Sequence, residues 1–364
     1  MSPARRLGLA LLAGIAAGTT IGVAAAQTVV QTDRGVFGEP RAEASEIERK
    51  IFQDGLRQFS RAWDESDGVG KRFNAHSCLG CHSAPAAGGS GIKPDTFVLV
   101  SSDISDAGGG HVFHRFQRTE DGVIELPAPV GAAKRKPPSL FGLGLLNLAA
   151  LRPPTAPAPG PDKIRGKLGG TPARPGRFGW KARVPDIKSF TATAFTQELG
   201  VANKAPGRNY PLELAVEEVA AFIALLGPPP RSRDLDASAR AGERVFAEIG
   251  CAQCHTPSLM PTRKGEAELG YRPEIRAYTD LLLHDMGAGL ADGVVEGNAG
   301  PADFRTPPLW GASASGPPYL HDGRAKDLAE AIDLHNGEAR NTRLRWQQLP
   351  AADRAALISF LQSL

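Results

Sequence analysis

The chain has 364 residues, with 42 Lys and Arg against 39 Asp and Glu and a formal net charge of +3. This near balance leaves no large basic excess that would favour nucleic acid, so we expect no nucleic-acid partner. The length is sufficient for two domains of ordinary size.

The first 26 residues have the pattern of a secretory signal peptide. Arg5 and Arg6 precede a long apolar stretch that closes in three alanines before Gln27. Basic, apolar and small-residue segments in this order predict export with cleavage of residues 1–26. The alternative is an uncleaved membrane anchor, because an apolar run of this length could just span a bilayer.

The segment from Ser45 predicts an amphipathic helix ahead of the first cysteine pair. Ser45 and Glu48 have the spacing of a capping box, and apolar residues then recur at roughly helical intervals. These apolar residues are Ile47, Ile51, Leu56, Phe59 and Trp63. The pentapeptide Cys78-Leu79-Gly80-Cys81-His82 follows shortly after this helix.

Residues 90–210 show few periodic segments. The part from Pro153 to Pro175 is dense in proline, glycine and alanine, a composition that favours exposed loops. Short β-like pieces at Thr96–Val100 and His111–Phe116 predict a few small strands. We therefore expect a long, loop-rich insertion.

The order of helix, cysteine pair and closing helix then occurs a second time. Apolar helices are predicted over Leu212–Leu226 and Ala351–Leu364, and another over about Ser238–Ile249 runs directly into Cys251-Ala252-Gln253-Cys254-His255. Three prolines from Pro228 resist helix formation and act as a semi-rigid spacer. They predict a boundary between residues 27–229 and residues 230–364.

Both pentapeptides have the CXXCH pattern by which c-type haem is attached. Two thiols three positions apart can reach both vinyl groups of one porphyrin, while the next histidine binds the iron. A zinc site or a redox dithiol also uses paired cysteines, but two complete motifs with no spare cysteine favour haem. We predict two covalent haems c at Cys78, Cys81, His82, Cys251, Cys254 and His255.

The repeated order resembles the cytochrome c fold, in which the first and last helices cross beside the haem. We therefore predict a mainly α chain with two tandem cytochrome c-like haem domains. The first would carry the insertion with its few short strands. Because haem c is normally attached after export, the motifs and the signal segment together predict a periplasmic protein.

Several stretches outside the haem motifs resemble a known family. They are FNAHSCLGCH (73–82), SLFGLGL (139–145), GRFGWKARVP (176–185), DLLLHDMGAGLADG (280–293), FRTPPLWG (304–311) and PYLHDGRA (318–325). Together they resemble the dihaem oxidoreductases often labelled thiol oxidoreductases. These are similar to bacterial dihaem cytochrome c peroxidases and to the dihaem enzyme that matures tryptophan tryptophylquinone.

The resemblance implies different roles for the two haems. In the family the N-terminal haem is the reaction site and the C-terminal haem is an electron store, with a tryptophan between them. Trp180 matches this bridging tryptophan, and Glu198 matches the distal glutamate that moves a proton between the peroxide oxygens. Packing for Trp180 and a solvated surface position for Glu198 are the alternatives.

The resemblance also implies a sixth ligand for the C-terminal haem. His335 stands at the matching position, with His284, Met286 and His321 as rivals. Two imidazoles would keep the iron low-spin and lower its potential relative to histidine and methionine. A calcium ion between the domains occurs in relatives, but no run of ligand residues identifies such a site here. Asn147 stands where a glutamate is expected, and an amide cannot deliver a proton.

The favoured interpretation is an enzyme, a periplasmic dihaem oxidoreductase that uses hydrogen peroxide and exchanges electrons with a periplasmic protein. One alternative is an electron-transfer cytochrome with no substrate of its own, although such a carrier needs neither a bulky insertion nor a distal acid. The other is a dihaem oxygenase that uses O₂. No free cysteine is left for thiol exchange, so the family label would require a thiol substrate.

Overall fold

The structure is a computed structural model that describes residues 35–101, 111–151, 162, 164–201, 210–231 and 235–364. The predicted signal segment lies outside these ranges, as do parts of the predicted insertion. Within the ranges, no helix combines the length and apolar character needed to cross a bilayer.

The described ranges contain nine α-helices and ten short strands. The helices are α1 Glu46–Ser60, α2 Leu143–Leu148, α3 Ile187–Gln197, α4 Leu212–Leu225, α5 Ala237–Glu248, α6 Arg263–Leu269, α7 Leu328–Asp333, α8 Arg340–Gln348 and α9 Ala351–Gln362. The strands are β1 Arg72–Phe73, β2 Val98–Ser101, β3 His111–Phe113, β4 Phe116–Thr119, β5 Gly122–Glu125, β6 Ala133–Arg135, β7 Gly169–Thr171, β8 Arg174–Gly176, β9 Leu283–Asp285 and β10 Asp303–Arg305.

The strands form four small antiparallel sheets. Their orders are β1-β4-β5, β3-β2-β6, β7-β8 and β10-β9. The predicted mainly helical chain with a few short strands is thus confirmed. Several elements were not expected. Helices α2 and α3 interrupt the predicted loop-rich insertion, and α6, α7, α8 and the β9-β10 pair lie in the C-terminal part.

Helix α1 begins at the predicted capping box. The Ser45 hydroxyl accepts from the Glu48 amide at 3.3 Å, and the Glu48 carboxylate accepts from the Ser45 amide at 2.8 Å. The predicted apolar face was partly wrong, because Ile47 is 74% exposed and Phe52 is fully buried. The buried stripe follows Phe52, Gly55 and Phe59, whose spacing places them on one side of the helix.

Two pairs of helices pack in the same manner, one pair in each half of the chain. In α1, a Cβ on Gly55 would lie 2.3 Å from the Glu218 carbonyl of α4. In α5, a Cβ on Gly242 would lie 2.0 Å from the Ala356 carbonyl of α9. Only glycine allows such close approach of two backbones. Each pair joins the helix before one CXXCH motif to the apolar helix after it.

The main hydrophobic core crosses the predicted boundary at Pro228. It joins residues of α1 and α4 with Ile275, Leu281 and Trp310 from the C-terminal part. A second cluster is formed by α5, α8, α9 and Tyr278. The predicted division into two domains stays a prediction, and the packing of the described residues is continuous between its two parts.

Candidate functional site

The first CXXCH motif forms a 3₁₀ turn over Cys78–Gly80, and its histidine is oriented by the backbone. The His82 Nδ1 lies 3.1 Å from the Gly89 carbonyl and 3.0 Å from the Pro138 carbonyl. Because carbonyl oxygens only accept, Nδ1 carries the proton and Nε2 keeps its lone pair. Burial lowers the pKa of His82, which favours the neutral ring that an iron requires.

The second motif repeats this arrangement. Its 3₁₀ turn covers Cys251–Gln253, and the His255 Nδ1 donates to the Tyr278 carbonyl at 3.1 Å. Burial lowers the pKa of His255 to about 4, with a further contribution from the nearby His335. Both motif histidines are therefore neutral with Nε2 available for a metal.

A cavity of about 320 Å³ opens beside the second motif. Cys251, Cys254 and His255 line it, and it extends to Ser90 and Pro138 beside the first motif. Cys78, Cys81 and His82 do not line it. The cavity wall therefore connects the second motif with the segment that orients the histidine of the first.

The charges on the cavity wall fit a haem. Lys136, Arg305 and Arg343 line the cavity, whereas none of the aspartates and glutamates that the structure describes does. Among the described residues, the Nε atom of Arg343 and the Nε2 atom of His321 are buried without a hydrogen-bond partner, and the Asp322 carboxylate lies 3.8 Å from the latter. A haem carries two propionate carboxylates, which such donors would bind. Together with the available Nε2 of His255, the residues present suit this group.

The structure brings His335 to the same cavity as His255. The His335 Nδ1 donates to the Ala331 carbonyl at 2.7 Å, which again leaves Nε2 free. Burial lowers the pKa of His335, so this ring is also neutral. His335 therefore presents a neutral ring with an unprotonated Nε2, the state in which an imidazole can bind a metal.

The other candidate ligands are compared by whether their donor atoms already have hydrogen-bond partners. Both ring nitrogens of His284 are engaged, Nδ1 with Glu338 at 2.8 Å and Nε2 with Asp280 at 2.9 Å. Burial acts to lower the pKa of His284, but hydrogen bonds to Asp280, Cys254 and Glu338 outweigh it and raise the pKa to about 12. A protonated imidazole has no lone pair for iron. Met286 and His321 line the cavity.

Trp180 lines the cavity. Its indole Nε1 donates to the Lys136 carbonyl at 2.8 Å, and its ring meets that of His321 edge-on at 6.2 Å. Lys136 is two residues from Pro138, whose carbonyl accepts from His82. A short backbone segment thus joins Trp180 to the proximal histidine of the first motif.

Glu198 is placed beside the first motif. It ends α3, and its carbonyl accepts from the Asn74 amide at 2.8 Å. Burial raises the pKa of the Glu198 carboxyl to about 7. The carboxylate lies close enough to Cys81 to add to burial in raising the pKa of that thiol to about 12. A carboxyl with this pKa can exchange protons near neutral pH.

Asn147 has a structural use in this fold. Its side-chain oxygen accepts from the Ile187 amide at 3.3 Å, at the first residue of α3. Arg177 donates to three carbonyls around it, those of Leu146, Asn147 and Ala149. Asn147 therefore helps to fix the start of the helix that ends at Glu198.

The described residues contain no group of three or more His, Cys, Asp or Glu side chains arranged to hold a metal ion. The buried carboxylates Asp292 and Glu296 are paired with cations instead. Arg135 contacts both, and the Lys181 ammonium lies 3.1 Å from Asp292. The Lys181 ammonium also donates to the carbonyls of Gly300 and Pro301.

Sequence reasoning missed the carbonyls that orient the three neutral histidines, together with Lys136 and Arg305. Backbone carbonyls leave no trace in residue type, because every residue has one. Lys136 and Arg305 stand in segments without periodicity, so nothing marked their side chains as buried. Only the tertiary structure shows that no described carboxylate lines the cavity.

Fold and site together define a class of protein, a helical chain with two CXXCH motifs whose neutral histidines and cationic cavity suit haem. Residues 213–364 match the model of a family described as "Di-haem oxidoreductase, putative peroxidase". The resemblance found in the sequence is thereby confirmed. The match supports a peroxidase-like dihaem oxidoreductase that uses haem.

Three solved structures resemble the chain at low identity. A Kuenenia stuttgartiensis hydrazine synthase, pressurised with xenon, is 17% identical with a TM-score of 0.44, covering 98% of this chain and 100% of that one. A MauG-like protein associated with microbial copper homeostasis is 16% identical with a TM-score of 0.47, covering 90% and 92%. The diheme peroxidase BthA from Burkholderia thailandensis is 13% identical with a TM-score of 0.30, covering 73% and 94%. No curated protein matches the chain.

Proposed function

We propose that this protein is a periplasmic dihaem cytochrome c oxidoreductase that reduces peroxide at the N-terminal haem site and receives electrons through the C-terminal one. This proposal rests on one observation, which is that different side chains surround the two CXXCH motifs. A second neutral histidine, His335, shares the cavity of His255, whereas a carboxyl with a pKa near 7, Glu198, lies beside Cys81.

Cys78 and Cys81 would hold the first haem covalently, with His82 as its ligand. Bound there, the haem supplies an iron with a position open to peroxide. The Glu198 carboxylate accepts a proton from one peroxide oxygen and returns it to the other. Overall, peroxide takes up two electrons and two protons and leaves as two water molecules.

Cys251, Cys254 and His255 would hold the second haem. The His335 Nε2 would bind the same haem as His255, and a haem held by two histidines would not bind substrate. Trp180, whose indole donates to the Lys136 carbonyl on the cavity wall, would offer an aromatic ring for electron passage between the two haems. The electrons come from a periplasmic donor protein.

Electron paramagnetic resonance of the haem-loaded ferric protein tests this proposal. We expect two haems per chain, one high-spin and one low-spin, and loss of the high-spin signal when hydrogen peroxide is added. Two low-spin signals that persist in peroxide would contradict the proposal and favour an electron carrier. Fewer than two haems per chain would contradict the assignment of the two motifs.

A further inference from the structure

Lys136 uses all of its polar groups to organise the cavity wall. Its amide donates to the His321 carbonyl at 2.7 Å, and its carbonyl accepts from the Trp180 indole at 2.8 Å. Its ammonium donates to the carbonyls of Ser315 and Pro318, the latter at 2.6 Å. One residue therefore holds the Trp180 indole, the backbone of His321 and the loop of Ser315 and Pro318, and Trp180, Ser315 and His321 line the cavity.

The Lys136 ammonium is buried without a compensating anion. The residue is 6% exposed, and among the described residues its ammonium is bound by carbonyls and by no carboxylate. The neighbouring cations differ in this respect, because Arg135 and Lys181 are both paired with Asp292. A buried charge that lacks a counter-ion acts strongly on its surroundings, since the interior screens it weakly.

We propose that the Lys136 ammonium raises the reduction potential of the haem held by Cys251, Cys254 and His255. An electron added to that site brings negative charge into the cavity that Lys136 lines, and an uncompensated cation stabilises the reduced state. Lys136 is thus a positioning residue for Trp180 and an electrostatic determinant of the second site. The inference rests on the proposed function in that a haem occupies the C-terminal motif.

Redox titration of the full-length, haem-loaded protein, followed by its low-spin absorption, tests this inference. We expect Lys136→Gln and Lys136→Met to shift the low-spin couple to lower potential. Lys134→Gln is the matched control, because Lys134 lies two residues earlier, in β6, and is exposed, so this variant should keep the parent potential. Glutamine can still donate to a carbonyl, so Lys136→Gln separates loss of charge from loss of the tether.

A Lys136→Gln protein with two haems and the parent potential overturns the inference, even if its melting temperature falls, because Lys136 would then be a structural anchor only. If Lys136→Met does not load haem, Lys136→Gln decides. A parent protein that shows two low-spin haems and no reaction with peroxide contradicts the proposed function instead. The shift in potential remains measurable in that case, since it requires only the haem at His255.

Discussion

The three histidines that we propose as haem ligands have the same kind of hydrogen-bond partner, and the rival His284 does not. His82, His255 and His335 each present Nδ1 to a backbone carbonyl, which fixes the tautomer and leaves Nε2 unprotonated. His284 is held between two carboxylates and is protonated at both nitrogens. Residue type alone therefore does not distinguish the proposed ligands from His284, whereas the partners of their ring nitrogens do.

The first prediction concerns the sixth ligand. Replacing His335→Ala removes the second imidazole from the cavity of His255, so we expect the low-spin ferric signal to convert to high-spin while two haems stay bound. Met286→Leu is the control, since it removes the rival thioether at nearly constant volume and should keep the low-spin signal. If the low-spin signal converts to high-spin in Met286→Leu but persists in His335→Ala, the sixth ligand is Met286 and not His335.

The second prediction concerns Glu198 and pH. The carboxyl must be ionised to accept a proton, and burial raises its pKa to about 7. The rate of reaction with peroxide should therefore rise with pH through about 7. Glu198→Gln should lower that rate by about 10²- to 10⁴-fold and remove the pH dependence, with both haem spectra intact. Stopped-flow measurement with the exposed Glu120→Gln as control decides, and a parent rate in Glu198→Gln would refute the role.

At the scale of elements, the helices beside each motif were predictable and the inserted ones were not. The capping box at Ser45 and the apolar spacing after it identified α1, because both signals lie within one short segment. The sequence of helix α3 gave no such signal, because its apolar residues are not concentrated on one side of the helix. Its N-cap residue, Asp186, lies in a stretch whose sequence predicted a loop. Its first residue, Ile187, is held by Asn147, which lies 40 residues earlier, and its cap Asp186 accepts from Arg174.

The third prediction tests the close packing of α5 against α9. A Cβ on Gly242 would lie 2.0 Å from the Ala356 carbonyl, and a backbone atom cannot move away cheaply. Gly242→Ala should therefore destabilise the protein by about 1–3 kcal/mol despite the better helix propensity of alanine. Thermal unfolding measures this loss. Gly289→Ala, where nothing lies within 4 Å of the added Cβ, should be neutral, and equal melting temperatures for the two variants would disprove the clash.

At the scale of the whole molecule, the main hydrophobic core crosses the predicted boundary at the three prolines from Pro228. Trp310 packs so closely on Gly142 that a Cβ there would lie 2.6 Å from its ring. Trp310 also belongs to the same cluster as Phe52 and Phe222 of the first helix pair. Separate domains would share no core, whereas this cluster takes in residues from both sides of the predicted boundary, and the second cluster lies within the C-terminal part.

The fourth prediction follows from this continuity. Calorimetry should show one cooperative unfolding transition for the haem-loaded protein, with equal calorimetric and van't Hoff enthalpies. Trp310→Ala and Trp346→Ala remove buried rings from different clusters. Each should move the same transition to lower temperature and lower the free energy of unfolding by about 3–5 kcal/mol. Two resolved transitions, each moved by only one of the variants, would show independent domains instead.

The sequence alone determined where the haems are predicted to attach and which histidines are their proximal candidates, because that information is contained in five consecutive residues. It also determined the helices before and after each motif, whose patterns are local. Only the tertiary structure decided which carbonyl orients His82, since Pro138 is 56 residues away. The same holds for the cavity shared by His255, His335 and Trp180 and for its lack of carboxylates. These features depend on how distant segments pack, and no short pattern records that packing.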